Sequence, residues 1–334
     1  MRPFLNRLCL PFVLLLALPA AAQTTCAGRD LMADLSPAER ASLDQATAAA
    51  PFPTGNHWHA EKAGAVIDLI GTFHLDDARM KAPMTRLAPL IDRADAVYLE
   101  ATEVEVAQLQ KAIATNPDLL FTKGPTLPER LSETEWQDLS AAMNARGIPP
   151  FLASKFKPWY VSVLLGLPPC AMSALTGGGA NGLDKRIEAE ARKAARPTLP
   201  LEPFDTIFRA VDRFSPEEQL DMIRAGLPQA AQSEDLLATM TASYFRETHR
   251  EIWAFARLLT LKTPGTDPAR ADHDLALTEE ALITSRNRAW LEVLRTAAPG
   301  KRLVVAVGAG HLSGESGLLN LLEQDGWNLT RQAF

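Results

Sequence analysis

The chain has 334 residues, with 34 Lys and Arg against 40 Asp and Glu, for a formal charge of −6. An acidic chain with no basic block excludes nucleic acid as the expected partner. Hydrophobic residues make up 47 % of the sequence, enough for an ample core in one large domain or two interleaved lobes.

Residues 1–22 read as a secretory signal peptide, with basic Arg2 and Arg7, an apolar run from Leu8 to Leu18, and Ala20-Ala21-Ala22 as the cleavage pattern. Its removal lowers the basic residues from 34 to 32 against 40 acids, a mature charge of −8. No later stretch approaches the ~18 apolar residues of a membrane span, so the expectation is a periplasmic or secreted chain without a transmembrane segment. Cys9 leaves with the leader. Cys26 and Cys170 then allow one pairing, and the sequence leaves a disulfide and two separate thiols both open.

Ser36-Pro37-Ala38-Glu39 is a capped helix start, and that helix runs to about Ala49. Trp58–Ala60 and the β-branched run Ala65–Ile70 read as strands. A helix over about 83–93 and a strand over Ala96–Leu99 complete a βαβ unit, which implies parallel strands. The middle is helix-rich: Glu103–Ala114, Ser132–Arg146, Leu183–Ala195, a capped start at Ser215, and one long amphipathic pattern over 235–259 with Leu236, Met240, Tyr244 and Ile252 on a stripe. Gly177-Gly178-Gly179 and Pro264-Gly265 punctuate it. A helix over Leu275–Thr296, a strand over Leu303–Val307, a helix over Leu318–Gln324 and a strand over Trp327–Thr330 close the chain.

The expected fold class is therefore α/β, with a mixed, largely parallel central sheet flanked by helices. After the leader, 23–334 reads as a single domain. Its core comes from about 57–102 and 270–334, and about 103–269 is a central helical insertion.

Open parallel sheets bind ligands at the carboxyl ends of their strands. Here Ala65–Ile70 leads to Gly71 and His74, Ala96–Leu99 leads to Glu100, and Leu303–Val307 leads to Gly308 and His311. The glycines are expected to let each strand turn out of the sheet. Two imidazoles and a carboxylate form a plausible ligand set for a catalytic divalent metal. Arg286 shares an apolar helical stripe with Leu282, Ile283, Ala289 and Trp290, so it faces inward and needs an anionic partner or ligand. Asp184 and Glu202, taken alone, read as caps or strand-end acids. His57 and His59 share a strand face, and solvent contact on an edge strand is their simpler reading. His249 and His273 have no partner at ligand spacing. A phosphate loop, HExxH and GxSxG are all absent.

The segments LIGTFHL, VYLEATE, GLDKRI, LPLEPF, TSRNRAW and VVAVGAGHLSGESGLLNLLEQDGWNL resemble, in that order, the TraB/GumN family. That family includes TIKI-type proteins and is distantly related to erythromycin esterase and ChaN-like groups. The resemblance spans Trp58 to Arg331. It implies a metal-dependent hydrolase, most simply a peptidase, with His74, Glu100 and His311 as metal residues for Mn, Co or Zn and Arg286 as the recurrent arginine. Glu103 and Glu202 are the two candidates for general base. The expected partner is a peptide or small-molecule substrate. The alternatives are an esterase, or a periplasmic protein that uses the same histidines to bind haem or another ligand without turnover.

Overall fold

The structure is a computed structural model that describes residues 26–176, 181–263 and 265–334. The leader reading, the Gly177–Gly179 punctuation and Pro264 lie outside the described residues.

Six strands form one sheet: β1 (His57–Lys62), β2 (Ala65–Thr72), β3 (Ala96–Leu99), β4 (Thr198–Pro200), β5 (Arg302–Gly308) and β6 (Asn328–Arg331). Their order across the sheet is β4-β3-β5-β2-β1-β6. β2, β3, β4 and β5 run parallel, while β1 is antiparallel to both β2 and β6. β2 and β3 belong to the expected βαβ unit, and the late strand β5 inserts between them, with Leu69 and Tyr98 both facing Val305 in register.

All eight residues of β2 are buried, as a strand covered on both faces requires. Ile67 and Leu69 pack with Leu303, Val305 and Val307 under Trp290, Leu294, Leu318 and Leu322. Ile70, Val97, Leu99, Val304 and Ala306 pack on the other face against Leu87 and Ile91 of the helix Lys81–Arg93 and Leu183 and Ile187 of the helix Leu183–Lys193. The strand alternation thus feeds two apolar layers. A separate helical core, built on Leu139, Met143, Leu164, Leu165, Leu220 and Ile223, occupies the middle of the chain. The segment 103–269 is not wholly apart from the sheet, because it supplies β4 and the helix Leu183–Lys193.

Most helix starts match their caps: the Ser36, Ser132 and Ser215 boxes all form. Two helical expectations are corrected. The pattern over 235–259 is two helices, Ser233–Phe245 and Glu251–Lys262. Between them Glu247 takes a left-handed φ of 59°. Its carbonyl accepts from Gly55 N at 2.9 Å and its carboxylate from Asn56 N at 2.9 Å, so docking of the loop before β1 outweighs helix continuation. The stripe divides accordingly, with Tyr244 2 % and Met240 44 % exposed. The second correction concerns Leu275–Thr296. That helix starts at Pro268 and passes through a π turn, Glu280–Thr284, before Ser285–Ala297.

Cys26 and Cys170 are bonded, with Cα atoms 5.3 Å apart across 144 residues of sequence. In the chain-entropy picture a loop of that size contributes on the order of 5 kcal/mol. Among the described residues no helix is long and apolar enough to cross a membrane.

Behind β1, Asn56 donates to Tyr244 O at 2.8 Å, so its Oδ1 is the acceptor for His249 Nδ1 at 3.0 Å. His249 Nε2 is left buried without a partner. Burial, with Arg250 and Arg331 nearby, pushes the His249 pKa down from 6.5 to about 4. The unfolded chain therefore binds a proton that the folded chain refuses. This contribution to stability is complete above pH 6.5 and is lost as the pH falls toward 4. In urea unfolding, the stability of wild type relative to His249→Gln should fall by about 3 kcal/mol between pH 7 and pH 4. A difference that stays constant across that window would contradict a neutral His249.

Candidate functional site

The four parallel strands each deliver one polar side chain at their carboxyl ends. Read across the sheet they are Glu202 after β4, Glu100 after β3, His311 on the 3-10 turn Ala309–His311 after β5, and His74 after β2. Glu202 had only the extended run before it as a signal, and β4 turns that run into a fourth strand end.

Arg286 ties this edge together. Its Nε and Nη2 donate to the two oxygens of Glu202 at 2.9 and 2.7 Å, and Nη2 also donates to Glu100 Oε2 at 2.8 Å. Nη1 donates to Leu282 O at 3.1 Å and faces His311 Nε2 at 3.2 Å. The inward stripe read from sequence is correct, and the anionic partners it demanded are two carboxylates. The π turn directly precedes the helix that carries Arg286, an irregularity often found beside functional groups. Trp290, one turn on, donates to Glu202 Oε2 at 3.0 Å, and its ring lies under the guanidinium with Arg286 Cζ 4.8 Å from the centroid.

Asn287 decides the state of His311. Its Nδ2 donates to His311 O at 3.0 Å and Ser316 O at 2.7 Å, so its Oδ1 accepts from His311 Nδ1 at 2.7 Å. The proton thus sits on Nδ1, and Nε2 offers its lone pair to the site. Burial pushes the His311 pKa down to about 4, against the pull of Glu100, and Arg286 and His74 add to the lowering. Burial also opposes ionisation of Glu100, but His311, Arg286, His74 and Gly308 N–H outweigh it and hold its pKa at about 2. His311 is neutral above pH 4 or so, which leaves Arg286 and the His74 imidazolium, whose pKa Asp184 raises to about 9, as the cations against Glu100 at neutral pH.

His74 sits at the mouth, its side chain 64 % exposed, with Nδ1 3.5 Å from Asp184 Oδ1. That distance is an ion pair too long for a well-aligned hydrogen bond, and Asp184 Oδ1 is otherwise buried without a partner. Asp184 raises the His74 pKa, with Glu100 adding to it, and water at the exposed ring screens part of the effect.

The role expected of the two strand-end glycines is corrected. Neither Gly71 nor Gly308 has a positive φ, and both lie within their strands. Space is what requires them. A Cβ on Gly71 would stand 2.8 Å from Leu312 Cδ1. A Cβ on Gly308 would stand 3.2 Å from Glu100 Oε1, 3.8 Å from His311 Cδ2 and 3.8 Å from His74 Nε2. The three side chains therefore border one small volume that only glycine leaves open. Gly182 acts similarly: a Cβ there would lie 2.4 Å from the His74 carbonyl, and its absence lets the Asp184 helix reach the loop.

The structure brings together His74, Glu100, His311, Arg286 and Glu202. It does not bring in Glu103, whose exposed carboxylate pairs with Arg192 at 2.6 Å. Glu202 accepts three hydrogen bonds from Arg286 and Trp290, which clamp the guanidinium in place. Asp184, Asn287 and Trp290 escaped sequence reasoning as site residues. The i+4 spacing of Trp290 from Arg286 was the one available signal. Among the described residues no three His, Cys, Asp or Glu side chains already stand at metal-ligating spacing.

An α/β protein with an arginine-centred His/Glu cluster on its parallel strand ends is the class that this geometry defines. The chain belongs to the TraB/PrgY/gumN family, whose profile matches residues 56–331. It is 27 % identical over 276 residues to the uncharacterized protein YbaP of Escherichia coli (strain K12), covering 81 % of this chain and 89 % of YbaP. It is likewise 27 % identical over 259 residues to the YbaP of Shigella flexneri, covering 76 % and 86 % of the two chains.

Replacing Arg286 with Ala leaves the Glu100 and Glu202 carboxylates, 18 % and 15 % exposed, without their shared cation. Denaturant unfolding should show a loss of about 3 kcal/mol, and Arg286→Lys should recover only part of it, because an ammonium cannot span both carboxylates. A loss below about 1 kcal/mol would mean that the clamp is a weak surface pair.

Proposed function

We propose that the protein is a metal-dependent hydrolase that cleaves acyl bonds in the cell envelope, with a peptide bond as the first candidate and an ester as the second. The observation that carries this reading is the convergence of Glu100, His311 and His74 on the volume above Gly308. The residues fit a divalent ion in kind. Glu100 is an anion, His311 presents the lone pair of Nε2, and His74 Nε2 borders the same space. Arg286 Nη1 faces His311 Nε2 at 3.2 Å, a contact that a bound ion would have to displace. His74, Glu100 and His311 would hold Mn, Co or Zn, and the bound ion supplies a Lewis acid that polarises a carbonyl and acidifies water.

The chain's own residues supply the rest. Arg286, clamped by Glu202 and stacked on Trp290, keeps a guanidinium aimed at the site, where it stabilises an oxyanion or holds a substrate carboxylate. Asn287 keeps the His311 lone pair facing inward, and Asp184 holds the exposed His74 ring. The Cys26–Cys170 bond and the leader pattern support an oxidising, periplasmic or secreted location.

Elemental analysis of purified protein exchanged against Mn, Co and Zn should find close to one ion more per chain in wild type than in His74→Ala. Chelation should abolish cleavage of a peptide library, and restoring the ion should recover it. Equal metal content in the two proteins would overturn the reading.

A further inference from the structure

The helix Leu183–Lys193 reaches the loops that carry two of the strand-end groups, and it does so with two acids one turn apart, Asp184 and Glu188. Its start meets the His74 loop. Leu183 N donates to Phe73 O at 3.0 Å, and Asp184 Oδ1 lies 3.5 Å from His74 Nδ1. Gly182, just before it, leaves the space that this approach needs. Leu183, Ile187 and Ala191 seat the helix in the apolar layer of Val97, Leu99, Val304 and Ala306.

Glu188 makes a different contact. It is 3 % exposed. Its Oε1 accepts from Glu103 N at 2.7 Å, and its Oε2 pairs with Lys185 at 3.2 Å. Glu103 opens the helix Glu103–Thr115, and the first N–H groups of a helix have no acceptor within it. The local caps serve other donors there. Thr102 Oγ1 accepts from Val104 N at 3.2 Å, and Glu105 Oε2 accepts from Thr102 N at 3.1 Å. Glu103 N is left to an acceptor from another helix, and a carboxylate is favoured at a helix start.

This pin lies three residues after Glu100. On the other side of Glu100, β3 fixes Leu99, whose carbonyl accepts from Leu201 N at 2.7 Å. The backbone that carries Glu100 is thus held from both directions. Its carboxylate is then placed to accept from Gly308 N at 2.6 Å and from Arg286 at 2.8 Å.

We propose that Glu188 is a positioning residue for this site, and that its helix is a spacer that sets the His74 loop against the Glu100 loop. Asp184 and Glu188 are separated by about 6 Å along the helix axis, a length that the helix keeps fixed. Glu188 acts through the backbone, because its own oxygens are taken by Glu103 N and Lys185. The proposal rests on the reading of His74 and Glu100 as groups of a metal-dependent hydrolase, for which their separation matters.

The test compares wild type, Glu188→Ala and Glu188→Gln as full chains. Backbone amide exchange is followed by NMR without metal, and Co²⁺ affinity by visible absorption. In Glu188→Ala, exchange at Glu103 and Gly308 should quicken about tenfold, while Leu69 in β2 exchanges as in wild type. Cobalt affinity should fall about ten- to a hundredfold. Glu188→Gln keeps an oxygen for Glu103 N, so it should stay close to wild type in both measurements. Exchange that quickens equally at Leu69 would mean a general loss of stability and would overturn the positioning role. Wild-type exchange at Gly308 in Glu188→Ala, or a Gln variant as impaired as the Ala variant, would overturn it too. Wild type that binds no cobalt removes the proposed function, and exchange at Gly308 still decides the role of Glu188.

Discussion

One guanidinium organises the functional edge of this protein. Arg286 bonds both oxygens of Glu202, one oxygen of Glu100, and the carbonyl of Leu282, and it faces the lone pair of His311. Three strand ends and one helix therefore meet at a single cation. Each carboxylate is buried enough that it needs this charge, and the charge is buried enough that it needs both carboxylates. Trp290 closes the arrangement by stacking on the guanidinium and donating to Glu202. The geometry of Glu100 and His311 is thus set by Arg286 before any ligand arrives.

The fold makes that meeting possible through strand order. β5 comes late in the chain yet lies between β2 and β3, so His311 stands between Glu100 and His74 across the sheet. The segment between β3 and β5 has its own apolar core, but it returns to the sheet twice. It supplies the helix that bears Asp184 and the short edge strand that leads to Glu202. The disulfide joins the start of the described chain to the helical region, so chain far from the sheet is also held.

Periodicity and punctuation made much of this legible. The runs at Ala65, Ala96 and Leu303 are buried strands because β-branched residues in continuous apolar stretches suit doubly covered positions. Serine caps marked three helix starts for a local reason, since each side chain bonds the backbone three residues on. Longer-range effects misled. The helix expected over 235–259 breaks because the β1 loop bonds Glu247, a contact between residues about 190 apart. Glu103 stands three residues after Glu100 at the start of the helix Glu103–Thr115, where its exposed carboxylate pairs with Arg192.

The sequence by itself determined the α/β class, the inward stripe of Arg286, and the delivery of His74, Glu100 and His311 to strand ends, because these follow from local pattern and chain direction. Tertiary structure alone decided which groups meet. It paired Arg286 with Glu202 and Glu100, made Asn287 the keeper of the His311 lone pair, and turned Gly308 from an expected turn into the floor of a shared volume. It also moved His57 and His59 from an expected edge to a covered strand beside Asp68. The physical reason is that register and strand order arise from packing across distant segments, and no local pattern encodes the space left between two side chains.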